Sequence, residues 1–211
     1  TATFQYTGNG ATTVTAATYT NLTLSPTITA NTVYTGGGAI GVTGNMTMNP
    51  DAGSAYSLTF DLGGDLTGPP TITIGRQNSA TVNLSTTVSN HGITAASFAI
   101  NAGGTLTGNA SAITSNGAVT IASSGMLSST SGTLDIKGDY TNSGTFTHNN
   151  GTVTVSGSSQ QTLGGTMTNG SAFKSLTITN ASGSDPDTSP SVIFSASATA
   201  TTFTTTTASV K

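Results

Sequence analysis

Residues 132–155 read GTLDIKGDYTNSGTFTHNNGTVTV. Three times in this stretch a glycine is followed by threonine, an apolar residue and a polar one: GTLD at Gly132, GTFT at Gly144 and GTVT at Gly151. Alternation of polar and apolar residues puts every second side chain on the same side of an extended chain, so each phrase predicts a short strand with one buried face. Asn-Gly at 150–151 and Ser-Gly at 143–144 stand between the phrases. Asn and Gly tolerate the positive φ that tight turns require.

The phrase continues outside the stretch, as GTLT at Gly104, GAVT at Gly117 and GTMT at Gly165. The interval between Gly144 and Gly151 is about half of those between the other successive glycines, so the repeat is loose. Short strands in a loose repeat are the mark of a quasi-one-dimensional β architecture, in which each coil stacks on the last and points one or two apolar side chains inwards per strand. A β-sandwich would more often show longer strands and a bulky aromatic core, whereas aromatics make up only 6% of this chain. The pattern predicts an all-β fold, a right-handed β-solenoid (β-helix)-like repeat architecture, with a β-sandwich or jelly roll as the alternative.

Working outwards, the same alternation recurs at 20–24 (TNLTL), 56–62 (YSLTFDL), 71–74 (TITI), 81–84 (TVNL), 118–121 (AVTI) and 175–179 (SLTIT). No window shows a helical period with helix formers. A longer-range echo links 19–25 (YTNLTLS) with 173–179 (FKSLTIT), each an aromatic, a polar pair and an alternating strand. Pro26, Pro50, Pro69 and Pro70 fall early, Pro186 and Pro190 late, and none lies between. Because proline is barred from central strands, the reading is one elongated subunit, 1–211. It has an N-terminal β region (1–95), a Gly-Thr-rich repeat region (96–185) and a C-terminal strand (186–211).

Composition narrows the function. Charged residues are 5% of the chain, against about 25% in an ordinary soluble domain. Glu, Trp and Cys are absent, and Gly contributes 27 residues. Charge keeps monomers apart, and a net charge of -3 over 211 residues is weak repulsion. Nucleic-acid binding draws on clustered cations, but Arg76, Lys137, Lys174 and Lys211 are scattered singly. No window approaches the roughly 20 apolar residues of a membrane span. A chain beginning at Thr1 without Met reads as a processed N-terminus.

Chemistry-bearing residues are sparse. His91 (SNHG) and His148 (THNNG) sit in turn-like contexts without Cys or Glu to complete a zinc site. No GxSxG elbow is present. Asp61 and Asp65 (DLGGDL) share a spacing with Asp135 and Asp139 (DIKGDY). Carboxylates beside glycine turns are calcium ligands in some loops, and glycoside cleavage uses two. Neither motif matches a calcium loop, however, and turn capping is the reading adopted. Lys137, between two of these aspartates, reads as a surface ion-pair partner. The expectation is no enzyme, no cofactor and no metal. Asn21, Asn45, Asn83, Asn109, Asn150, Asn169 and Asn180 each open an N-x-S/T sequon.

Residues 132–183, about a quarter of the chain, carry a resemblance. The phrases GDYTNSGTFTHNNGTVTVSGSSQQTLGG (138–165) and FKSLTITNASG (173–183) resemble repeats of large secreted, adhesin-like or autotransporter-like β-helical microbial surface proteins. The resemblance implies a secreted, extracellular or cell-surface scaffold or adhesive stalk, and it transfers no catalytic residue.

Residues 3–16 and 191–211 are both strand-like and uncharged apart from Lys211. The second shows Val192, Phe194, Ala196, Ala198 and Ala200 in alternation. Open strand edges accept strands from other chains. These segments are therefore the candidate assembly strands, with Phe4, Tyr6, Val14, Val192, Phe194 and Phe203 as their apolar contacts. The functional expectation is a structural subunit of an extracellular filament, surface layer or biofilm fibre. It joins copies of itself head to tail by donated strands or by end-to-end stacking. The alternative is a monomeric adhesin or carbohydrate-binding stalk module that meets surface glycans or neighbouring cells.

Overall fold

A computed structural model describes residues 2–52, 54–86, 90–206 and 208–211. Thr1, at the expected processed N-terminus, and Thr207, in the C-terminal candidate strand, lie outside them. The chain is an all-β solenoid of about eight turns. Among the described residues its one helical element is the 3-10 turn Asn169–Ser171. Each full turn contributes a strand to each of three parallel sheets. Face A has nine described strands, from Thr3–Tyr6 to Val192–Phe194. Face B has seven, from Thr12–Val14 to Thr145–Thr147. Face C has nine, from Thr18–Tyr19 to Ala200–Thr205.

Register explains why the glycine spacing is loose. On face B, Leu106 pairs with Leu127 and Leu127 with Phe146. On face A, Leu22, Met46, Ile72 and Phe98 follow one another on successive turns. A full turn therefore holds about three strand phrases. GTLT (104) and GTFT (144) lie on face B, while GTLD (132) and GTVT (151) lie on face C. Five of the six glycine phrases thus mark one face of a coil and not the coil, whereas GTMT at Gly165 is no strand, Met167 making only an isolated bridge to Ala198.

Alternation on each strand sends one rank inwards. Tyr34, Phe60, Leu84, Leu106, Leu127 and Phe146 stack in register on face B, all buried. Ile40, Leu66, Ile93, Ile113, Leu134, Val153 and Leu176 do the same on face C. Each such side chain contributes about 1.5–3 kcal/mol through removal from water. The thin core stands because every coil buries its rank against both neighbours. Corners need small residues. Gly68 takes φ +87°, and a Cβ there would lie 2.7 Å from the Val42 carbonyl oxygen. All six prolines sit outside the strands.

Two expectations are corrected. The echo between 19–25 and 173–179 is not a structural repeat. Tyr19 ends a face C strand and Asn21–Leu24 lies on face A, whereas Phe173–Ile178 is a single face C strand. Nor is either terminal segment one long strand. Residues 3–16 turn a corner between Thr3–Tyr6 on face A and Thr12–Val14 on face B. Residues 191–211 split into Val192–Phe194 on face A and Ala200–Thr205 on face C, after which Val210 returns to bridge Val192. The solenoid has to change direction at each corner: Gly8, Asn9 and Gly10 mark the first, whereas Ser, Ala and Thr at 195–199 make the second without the Gly or Pro that would announce it.

Candidate functional site: the two open ends

At the first turn, Phe4 pairs with Leu22, which is buried. Register places Phe4 in the inward rank, yet it is 51% exposed because no described residue lies beyond it. Its ring meets Tyr19 edge-on at 5.2 Å. Tyr6 is half-buried, with its Oη 3.1 Å from the Tyr19 Oη. Tyr19 donates to the Thr15 carbonyl at 2.7 Å. The Tyr34 hydroxyl donates to the Gly8 carbonyl and ties the first corner to the second turn.

At the last turn, Phe203 pairs with buried Leu176 and is 53% exposed, again in the inward rank. Phe194, paired with Leu163, is half-buried. These rings flank an apolar cavity of about 430 Å³, bounded also by Leu176, Ala196, Ala198 and Val210. Face B does not reach this level. Its last described strand is followed by the turn Asn169–Ser171, where the Phe146 N–H donates to Ser171 Oγ at 3.1 Å. On face A, residues 209–211 add to the edge of Val192–Phe194, with Phe194 N–H to Lys211 O at 2.7 Å. Of the six proposed contacts, Phe4, Phe194 and Phe203 stand at open ends. Tyr6 is partly covered, and Val14 and Val192 are fully buried in their own chain.

The polar candidates are not brought into a catalytic constellation. Asp61 lies on face B opposite Ser85, while Asp65 precedes a face C strand and accepts the Gly92 N–H at 2.8 Å. Its Oδ1 is 3.8 Å from Nδ1 of His91. Asp135 lies on face C and accepts Ser156 Oγ. Asp139 precedes a face A strand and accepts the Thr162 N–H at 2.8 Å. Each pair is thus split across a corner, and its second member caps backbone. Lys137 Nζ donates to Asn116 Oδ1 at 3.3 Å, in place of the expected ion pair with its neighbouring aspartates. His148 Nδ1 accepts the Asn150 N–H at 2.9 Å and closes its own turn. Among the described residues no three His, Asp, Cys or Glu gather as metal ligands. No described helix is long and apolar enough to cross a membrane.

Of the sequons, Asn45, Asn150 and Asn169 are exposed, and Asn21, Asn83 and Asn109 are half-buried. Asn180 is corrected. It is 1% exposed, and its Nδ2 donates to Gln161 Oε1 at 2.8 Å and to the Ser159 carbonyl at 2.7 Å. That nitrogen is the glycan attachment point, so the fold has already used it. Sequence reasoning also missed Gln161 as its partner, since nothing in a Gln-Gln pair marks which amide points inwards.

Tyrosines set the pH dependence. Burial pushes the Tyr140 hydroxyl far above the ordinary range, with a weak opposing pull from the Asn142 side chain, and the hydroxyl makes no well-formed hydrogen bond. Burial, aided by Tyr6, pushes Tyr19 up to about 12, and burial raises Tyr34 as well. Folded values above the unfolded value of about 10 mean that this stability is complete below pH ~10 and lost as pH rises through the folded values. Thermal melts are expected to hold from pH 8 up to about pH 10 and fall above it. Tyr140→Phe should flatten the fall, and a fall of unchanged steepness in that variant would count against the assignment.

In comparisons with known proteins, no family model, no curated protein and no solved structure matches the chain.

Proposed function

We propose that this chain is a structural subunit of an extracellular filament or surface layer that polymerises through the two ends of its solenoid. The supporting observation is that Phe4 and Phe203 occupy inward ranks at opposite ends and yet are half-exposed. Solenoids need a polar covering on their terminal repeats to stay apart, and exposed parallel edges are templates for further strands. With a net charge of -3 there is little repulsion to prevent it. The extracellular setting rests on the resemblance of residues 132–183 and on the scarcity of charge.

Negative-stain microscopy and sedimentation of the purified chain test the proposal. Filaments with an axial repeat of about 43–48 Å are expected, the height of nine to ten stacked strands. Single rods at every concentration would overturn it and favour a monomeric stalk module that presents its faces to glycans.

A further inference from the structure

We propose that Met126 is a reversible oxidation site, where this chain takes an oxygen atom from a peroxide while its fold stays intact. The site lies in the middle of the solenoid and is independent of the polymerising role proposed above.

The chain holds four methionines and no cysteine, so thioethers are its only sulfur. Reaction with a peroxide requires the sulfur lone pair to be reached from solvent, and it turns an apolar side chain into a polar one. Three of the four are shielded. Met46 and Met48 occupy the two inward positions of the face A strand Asn45–Met48. They lie between Leu22 and Leu24 on one turn and Ile72 and Ile74 on the next. Both are fully buried, and so is Met167. A sulfoxide at any of these positions would put a larger, polar group into a close-packed core. Each of the three therefore reacts only when its own turn opens.

Met126 is placed differently by the alternation of its strand. It begins the face B strand Met126–Thr130, and its neighbour Leu127 is the side chain that enters the core. Thr105 precedes Met126 in register and Thr145 follows it. The thioether thus stands in an outward rank, and it is 39% exposed. The rank continues from Thr105 through Asn83 and Thr59 to Val33. Around Met126 it is a row of hydroxyls and an amide, which suits the oxidised side chain better than the reduced one. A sulfoxide oxygen accepts hydrogen bonds, and threonine hydroxyls donate them. Thr105, half-buried, and Thr145, exposed, flank it on strands about 4.8 Å to either side. Those two hydroxyls are the seat for the added oxygen.

The step balances with a hydroperoxide as oxidant. The sulfur lone pair attacks the outer peroxide oxygen, the O–O bond breaks as the S–O bond forms, and sulfur gives up two electrons. The released hydroxide or alkoxide takes a proton and leaves as water or alcohol. Two thiols of a sulfoxide reductase reverse the change, yielding a disulfide and water.

The folded chain treated with dilute hydrogen peroxide and followed by peptide mass spectrometry tests the site. Met126 is expected to gain one oxygen about tenfold or more faster than any other methionine, with the thermal melt and far-ultraviolet dichroism unchanged. In urea above the transition all four should react. Met126→Leu should gain no oxygen over the same interval. Each sulfoxide epimer has its own reductase, and the seat predicts unequal reduction by the two. Thr105→Val combined with Thr145→Val should bring the epimers towards equality. Comparable rates at Met46, Met48 and Met167 in the folded chain would overturn the site, as would a Met126 as slow as they are. A melt lowered by oxidation at Met126 alone would overturn the claim that the fold accommodates the change. Equal epimers in the parent would overturn the hydroxyl seat.

Discussion

Replacing Phe146 by alanine is expected to cost about 3–5 kcal/mol of stability and to split the unfolding transition in two. Phe146 is completely buried on face B. Its ring lies 6.3 Å from that of Tyr140, which comes from face A, and 5.4 Å from that of Phe173, which comes from face C. Tyr140 and Phe173 are themselves 5.9 Å apart. The three rings thus meet in the lumen from three sides, Tyr140 and Phe146 from one turn and Phe173 from the next. In a solenoid each turn touches only its neighbours, so stability is approximately a sum of turn and junction terms. Deleting the central ring weakens one junction without touching the others. Urea titration followed by dichroism, with hydrogen exchange read by segment, should show the turns on the two sides of residue 146 melting separately. Phe146→Leu, which keeps most of the volume, should lose far less. A single transition within about 1 kcal/mol of the parent for Phe146→Ala would refute the junction argument.

Gln161→Leu is expected to have a comparable effect by a different route. The Gln161 side chain is buried and satisfied on all sides. Its Oε1 accepts from the Gly157 N–H at 2.7 Å and from Asn180 Nδ2 at 2.8 Å, while its Nε2 donates to the Ile136 carbonyl at 3.1 Å and to the Gly138 carbonyl. This amide ties the corner between faces C and A to the excursion of residues 181–190. Leucine matches its volume but leaves several buried polar groups without partners, at roughly 1–3 kcal/mol each. The combined loss should be about 3 kcal/mol or more. Gln161→Glu sharpens the test, because a carboxylate would face two carbonyl oxygens. That variant should be the worse of the two at pH 7 and recover part of its stability in acid, where the protonated carboxyl can donate again. Chemical denaturation at pH 7 and pH 4 gives the comparison. Equal stability of Gln161→Glu at both values would remove the amide from the role assigned to it.

Gln161 illustrates where the sequence was silent. The alternation in residues 132–155 identified strands of the right kind and nearly the right length, because a period of two is a local property of an extended chain. The coil was not legible in the same way. Turns differ in length along the ladder, a short one joining Leu127 to Phe146 and a longer one joining Leu66 to Ile93. Successive glycine phrases also belong to different faces, so their spacing mixes three separate series. Residues 191–211 misled for a related reason: alternation persists across a corner even though the strand does not. The candidate site was half visible. Phe4, Phe194 and Phe203 were identifiable as apolar residues of terminal strands.

By itself, then, the sequence determined an all-β chain of short strands with a thin core and a surface almost free of charge. It did so because residue type and alternation act between near neighbours. The tertiary structure decided which strands share a face, which of two adjacent glutamines points inwards, that Asn180 has no nitrogen to spare for a glycan, and that two phenylalanines in the inward rank are left uncovered. Those facts depend on register between residues a whole turn apart, set by how corners of unequal length close, and no local pattern encodes that.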